Sequence, residues 1–104
     1  MAKKNAAPKD LMSTALRLIS FRPRSVAELR EKLLAKGFEG VEVEKAVEKL
    51  CEAGCLDDEK FAALLAGSRV RNKFWGPAKI IFELNRKGVS REIVRKTVVR
   101  DQGA

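Results

Sequence analysis

Three groups of residues in this chain have types and spacings that bear on chemistry. Cys51 and Cys55 stand four positions apart, about one helical turn. A structural zinc needs four Cys or His ligands. The chain has two cysteines and no histidine, so a closed zinc site within one chain is excluded. Two readings remain: small hydrophobes in the core of a protein from a reducing compartment, which is the expected one, and a redox pair. Asp57, Asp58 and Glu59 gather three carboxylates, the ligand type of a hard cation. Consecutive residues at a helix start do not converge on one point, and capping accounts for all three. The serines have no histidine or tyrosine to act with and read as caps. The stretch KGFEG lacks both the spacing of a phosphate loop and a strand before it. No enzymatic activity, metal or cofactor is expected.

The third group is cationic. The net charge of +8 is unevenly placed: residues 1–68 hold 12 Lys/Arg and 11 Asp/Glu, residues 69–104 hold 10 and 3. Such asymmetry points to a polyanionic or acidic partner for one end of the molecule. The candidate contact residues are Arg69, Arg71 and Lys73 near the end of one predicted helix, Lys79, Arg86 and Lys87 on the polar side of the next, and Arg91 with Arg95 on the last. A solvated face is the alternative reading. For ten cations against two acids between Arg69 and Arg100, a partner surface is preferred. Phe74 and Trp75 interrupt this run. Base stacking is one reading; a plug between helices is preferred, because a short helical unit needs large apolar anchors.

The elements that position these residues are helices. Of the residues, 45% are hydrophobic and 35% charged, as in a globular helical protein. No apolar run nears the roughly 20 residues of a membrane span, and MAKKNAAPKD has no apolar region behind it, so no secretory signal is visible. Pro8 suits the first position of a helix that buries Leu11, Ala15, Leu18 and Ile19 and stops before Pro23. Ser25 and Glu28 form a capping box for a second helix, with Leu29 and Leu33 inside and Gly37 as its stop. A third runs from about Val41 to Ala53, ended by Gly54. Asp57 caps a fourth, which carries Phe61, Leu64 and Leu65 to about Lys73, with Leu56 and Phe61 as a hydrophobic staple. Gly76-Pro77 opens a fifth, with Ile80, Ile81 and Leu84, stopped by Gly88. Ser90 caps a sixth, with Ile93, Val94, Thr97 and Val98. Phe82 faces outward from helix five, toward helix six, a second copy or a further repeat.

The two halves repeat. Leu33, Gly37 and Phe38 match Leu84, Gly88 and Val89 at an offset of 51 residues, and Ser25 and Leu29 match Gly76 and Ile80. The expected fold is all-α, with tandem three-helix repeats in an elongated or curved array. The predicted organisation is a disordered tail over 1–8, one repeat over 9–55 and a second over 56–102.

The stretches CLDDEKFA and SRVRNKFWGPAKIIFELNRKG resemble the second repeat of the RecX family, through Leu56, Asp57, Asp58, Phe61, Ala62, Gly76, Pro77, Ile80, Glu83, Leu84, Lys87 and Gly88. Residues 15–38 resemble its first repeat, and the likeness covers about residues 10–100. The resemblance implies a cytoplasmic regulator of recombination, DNA repair and the SOS response. Such a regulator binds RecA or the RecA–DNA filament and suppresses its ATPase, strand-exchange and co-protease activities without catalysis of its own. Family members typically have three repeats; this chain shows two, as a short or truncated form would. It is expected to act as a monomer, without a membrane, and with non-specific DNA contact as an accessory. The alternative is a small three-helix module that binds DNA phosphates directly. Base readout is not expected of helix five, which begins Pro77-Ala78-Lys79-Ile80-Ile81 rather than with the polar side chains that read base edges.

Overall fold

A computed structural model describes residues 8–103. They form six helices: α1 (Pro8–Phe21), α2 (Val26–Ala35), α3 (Gly40–Glu52), α4 (Asp58–Lys73), α5 (Pro77–Arg86) and α6 (Arg91–Gly103). No strand occurs among the described residues. The tail expected over 1–8 lies outside them except for Pro8, which opens α1. The chain divides into two compact units, Met1–Leu56 and Asp57–Ala104.

In the first unit α1, α2 and α3 all pack on one another. Ser25 caps α2 as its sequence implies. Its Oγ accepts the Glu28 N–H at 3.1 Å, and its own N–H donates to Glu28 Oε1 at 3.1 Å. Leu11, Ala15, Leu29, Leu33, Phe38, Val43, Val47 and Leu50 make the core. At the end of α2, Gly37 takes φ 99 and the Phe38 N–H donates to Leu33 O at 3.3 Å. That turn needs the left-handed conformation that glycine adopts without strain. Phe38 then folds back into the core.

In the second unit α6 packs on both α4 and α5. Asp57 caps α4, its Oδ1 accepting the N–H groups of Glu59 at 2.9 Å and Lys60 at 3.3 Å. Phe61, Ala62, Ala66, Ile80, Leu84, Val89 and Val94 form the core. The α5–α6 turn repeats the α2–α3 turn: Gly88 has φ 80, and the Val89 N–H donates to Leu84 O at 3.1 Å. The offset of 51 also relates buried positions. Ala15 and Ala66, Val43 and Val94, and Ala46 and Thr97 are all buried pairs. Thr97 satisfies its hydroxyl by donating to Ile93 O at 2.8 Å.

Two expectations are corrected. Cys51 and Cys55 are exposed thiols outside any disulfide, not core residues. Cys51 follows the buried Leu50 and is rotated about 100° from it around the helix, while Cys55 lies beyond the α3 stop. Leu64 is 58% exposed, because two residues on from Ala62 is about 200° around the helix, away from the buried stripe. Leu56 is buried in the first unit's core and Phe61 in the second's.

Candidate partner-binding surface

The eight candidate cations all fall in the second unit, on or directly beside α4, α5 and α6. Arg69, Arg71 and Lys73 occupy the last turns of α4, where cations also complement the negative helix end. Arg71 and Lys73 are exposed and Arg69 is half-buried. Arg71 lies back along its own helix, its Nη1 3.0 Å from where a Cβ on Gly67 would stand. The helix stops at Phe74, which takes φ 56 and ψ 36. Its N–H donates to Val70 O at 3.2 Å, and the Trp75 N–H to Arg69 O at 3.3 Å. This is the hydrogen-bonded helix stop that glycine usually occupies. A side chain in that conformation costs about 1–2 kcal/mol.

The turn brings Trp75 back against the second core, half-buried. There it gathers two cations from different helices. The guanidinium carbon of Arg69 lies 5.3 Å from the ring centroid and Lys79 Nζ lies 5.2 Å from it. Each contact is worth about 0.5–1 kcal/mol at a hydrated site. The indole thus holds two like charges near one point, and no carboxylate occurs in sequence between Glu59 and Glu83. The preferred reading of the two aromatics is half right. Trp75 packs as an anchor, but Phe74 is 87% exposed and plugs nothing.

At the other end of α5, one carboxylate serves two cations. Glu83 Oε1 lies 3.8 Å from Arg86 Nη1, and its Oε2 lies 3.7 Å from Lys87 Nζ. Sequence grouped Lys79, Arg86 and Lys87 on one polar side, and the structure separates Lys79 on Trp75 from the pair on Glu83. On α6, Arg91 and Arg95 are exposed, and neither makes an ion pair among the described residues. Arg95 lines an open cleft with Glu92, Lys96 and Val99. Lys96 is committed elsewhere, its Nζ donating to Glu59 Oε2 on α4 at 3.0 Å.

The fold and this surface can now be set beside known proteins. The family model described as the first three-helix domain of RecX matches residues 12–50, and that described as its second three-helix domain matches residues 57–98. The chain belongs to the RecX family. The regulatory protein RecX of Pelodictyon phaeoclathratiforme is 42% identical to it over 90 residues, 86% of this chain and 56% of that protein. The regulatory protein RecX of Thermotoga maritima is 40% identical over 96 residues, 92% of this chain and 60% of that protein. The chain therefore spans somewhat more than half the length of these curated relatives. A crystal structure of RecX from Lactobacillus salivarius matches with a TM-score of 0.85 and 20% identity, over 88% of this chain and 60% of that one. At that identity the likeness is one of fold. On the RecX plan, all eight cations fall on the second three-helix domain or the turns that flank its helices.

The left-handed stop at Phe74 and the burial of Arg24 were not read from sequence. Phe74 has no glycine to mark a left-handed stop, and the following Gly76-Pro77 draws attention away from it. Arg24, in the first unit, is 7% exposed, and its Nε donates to Leu18 O near the end of α1 at 3.0 Å. Burial and the neighbouring Arg22 lower its pKa from the ordinary value, with Glu28 acting in the other direction. Its position three residues after the last one of α1 was the available signal, since cations there meet orphan carbonyls.

Proposed function

We propose that this RecX-family chain binds a RecA recombinase or its nucleoprotein filament and lowers recombinase, ATPase and co-protease activity. The contact is the basic face of the second unit. The observation that carries this reading is the placement of Arg91 and Arg95 on a RecX second domain. Both are exposed and without an ion-pair partner among the described residues. Arg71 and Lys73, on α4 of the same unit, are exposed as well. A protein filament on DNA offers carboxylates and phosphates together, and a surface of unpaired arginines engages either by charge-assisted hydrogen bonds. The chain acts by occupancy, as a monomer in the cytoplasm, and supplies no catalytic step. Membrane association forms no part of this reading, and no helix among the described residues is long and apolar enough to cross a bilayer.

The test is single-strand-dependent ATP hydrolysis by a cognate RecA. Added protein slows hydrolysis, and the double variant Arg91→Glu, Arg95→Glu slows it less at the same concentration. Hydrolysis unaffected by an excess of the wild-type chain removes this reading. DNA binding with no effect on hydrolysis transfers the arginines to the alternative, a phosphate-binding module.

A further inference from the structure

Phe74 is the most exposed large apolar side chain among the described residues, at 87%. Nothing in the fold calls for it. Glycine takes the left-handed stop at Gly37, Gly54 and Gly88, and it would end α4 with less strain. A phenyl ring is instead held out in water by a backbone conformation that disfavours it. Its surroundings are cationic. Lys73 precedes it, and Trp75 follows it with Arg69 and Lys79 gathered over the indole. The stretch from Lys60 to Phe82 contains no carboxylate.

We propose that Phe74 is a stacking platform for an unpaired base of single-stranded nucleic acid, with Lys73, Arg69 and Lys79 contacting the flanking phosphates. An aromatic face among cations is the recurring arrangement of sequence-tolerant single-strand binding, since every base has a π-face and every linkage a charge. A protein pocket could also seat the ring, but it would pull the flanking cations out of water, which is costly without matched acids. A phosphate chain supplies a matched charge at each step. The structure assigns the two aromatics different tasks. Trp75 is half-buried and already carries two cations, so it positions charge. Phe74, with its ring in solvent, takes the base. This inference needs no recombinase and stands apart from the RecA reading.

The test is fluorescence anisotropy with the full chain and a labelled oligo-dT of about 15 nucleotides, a length in the range of known single-strand sites. It is run at about 50 mM salt, where phosphate contacts are strong. Phe74→Ala and Phe74→Gly weaken binding by about 5- to 150-fold, the usual range for losing one stacked base. They leave the salt slope unchanged, and Phe74→Tyr keeps the affinity. Lys79→Ala instead flattens the log–log salt slope by about one unit, one phosphate contact. Binding to a duplex of equal length, whose bases are already stacked, does not respond to Phe74→Gly. A parallel loss on oligo-rU assigns single strands of either sugar, and a loss on oligo-dT alone assigns DNA. Because Phe74→Gly removes no buried group and relieves the backbone, its thermal melt serves as the folding control. The proposal is overturned by wild-type affinity of Phe74→Gly for oligo-dT, by equal losses on single strand and duplex, or by no oligo-dT binding at that salt.

Discussion

Ser25 and Gly76, 51 residues apart, hold the same N-cap conformation, φ −76 and ψ 164 against φ −86 and ψ 179. Only Ser25 has an oxygen with which to close it. At α5 the backbone donors of the first turn have no side-chain cap, although a Cβ on Gly76 would meet nothing within 4 Å. Gly76→Ser therefore fits without strain. It restricts the unfolded chain, a gain of about 0.4–1 kcal/mol, and adds a few tenths from the cap. Urea denaturation is expected to show this as a higher midpoint with an unchanged slope. Ser25→Ala does the opposite at a fully buried site, costing about 1 kcal/mol.

Leu33 and Leu84 are each wholly buried, and the carbonyl of each receives the N–H of the residue that folds back after its glycine stop. Leu33→Ala and Leu84→Ala are each expected to cost about 2–5 kcal/mol, the range for emptying a packed leucine site. Leu16→Ala, at 43% exposure, serves as the control and stays within about 0.5 kcal/mol. Calorimetric melts of the three variants check the ranking.

Helix starts and stops were the legible part of this chain, because capping is decided within four residues. Ser25 with Glu28, Asp57, Ser90 and the three left-handed glycines all do in the structure what their chemistry implies. The 51-residue offset was legible for the same reason, since it ties together turns. What sequence could not fix was the width of each buried stripe. The stripe on α4 passes through the small residues Ala62 and Ala66, which leaves Leu64 outside despite its hydrophobicity. The cationic surface was legible as charge and illegible as geometry. Arg69 and Lys79 are ten residues apart on different helices, and they meet only because Phe74 takes a turn that side chains normally avoid.

The two thiols give a direct check on α3. Cys51 and Cys55 are both exposed, so a thiol-reactive disulfide reagent is expected to titrate two groups per native chain without denaturant. Core cysteines would react only on unfolding. Cys51→Ser and Cys55→Ser are each expected to change stability by no more than about 0.5 kcal/mol, as surface substitutions do.

Arg24 carries a buried charge whose pKa is lowered chiefly by burial. For a base lowered in the folded state, the unfolded chain binds more protons in the window between the two pKa values, and stability rises with pH there. That window lies at the alkaline end of the scale, so near neutrality the cost of burying the charge is constant. With no histidine in the chain, stability is expected to be flat between about pH 6 and 8, the range in which histidine titrates. Arg24→Ala leaves Leu18 O without its partner and is expected to cost about 1–3 kcal/mol. Chemical denaturation at a series of pH values tests both statements.

Glu83 is the carboxylate that restrains the basic face, since Arg86 and Lys87 both turn to it. The Arg86 side chain is 64% exposed, so its pair with Glu83 contributes little to stability, about 0–1 kcal/mol. Glu83→Gln keeps the shape, adds one unit of net positive charge and removes the carboxylate charge to which Arg86 and Lys87 turn. If the basic face is the contact surface, this variant should bind the RecA–DNA filament more tightly than wild type, by about 2- to 5-fold at low salt, the scale of one exposed ion pair. The gain should shrink as salt is raised, because screening acts on exposed charges. Titration of filament by labelled protein at two salt concentrations measures this. Weaker binding by Glu83→Gln would mean that Glu83 itself touches the partner, and the contact would then be a mixed-charge surface rather than a basic one.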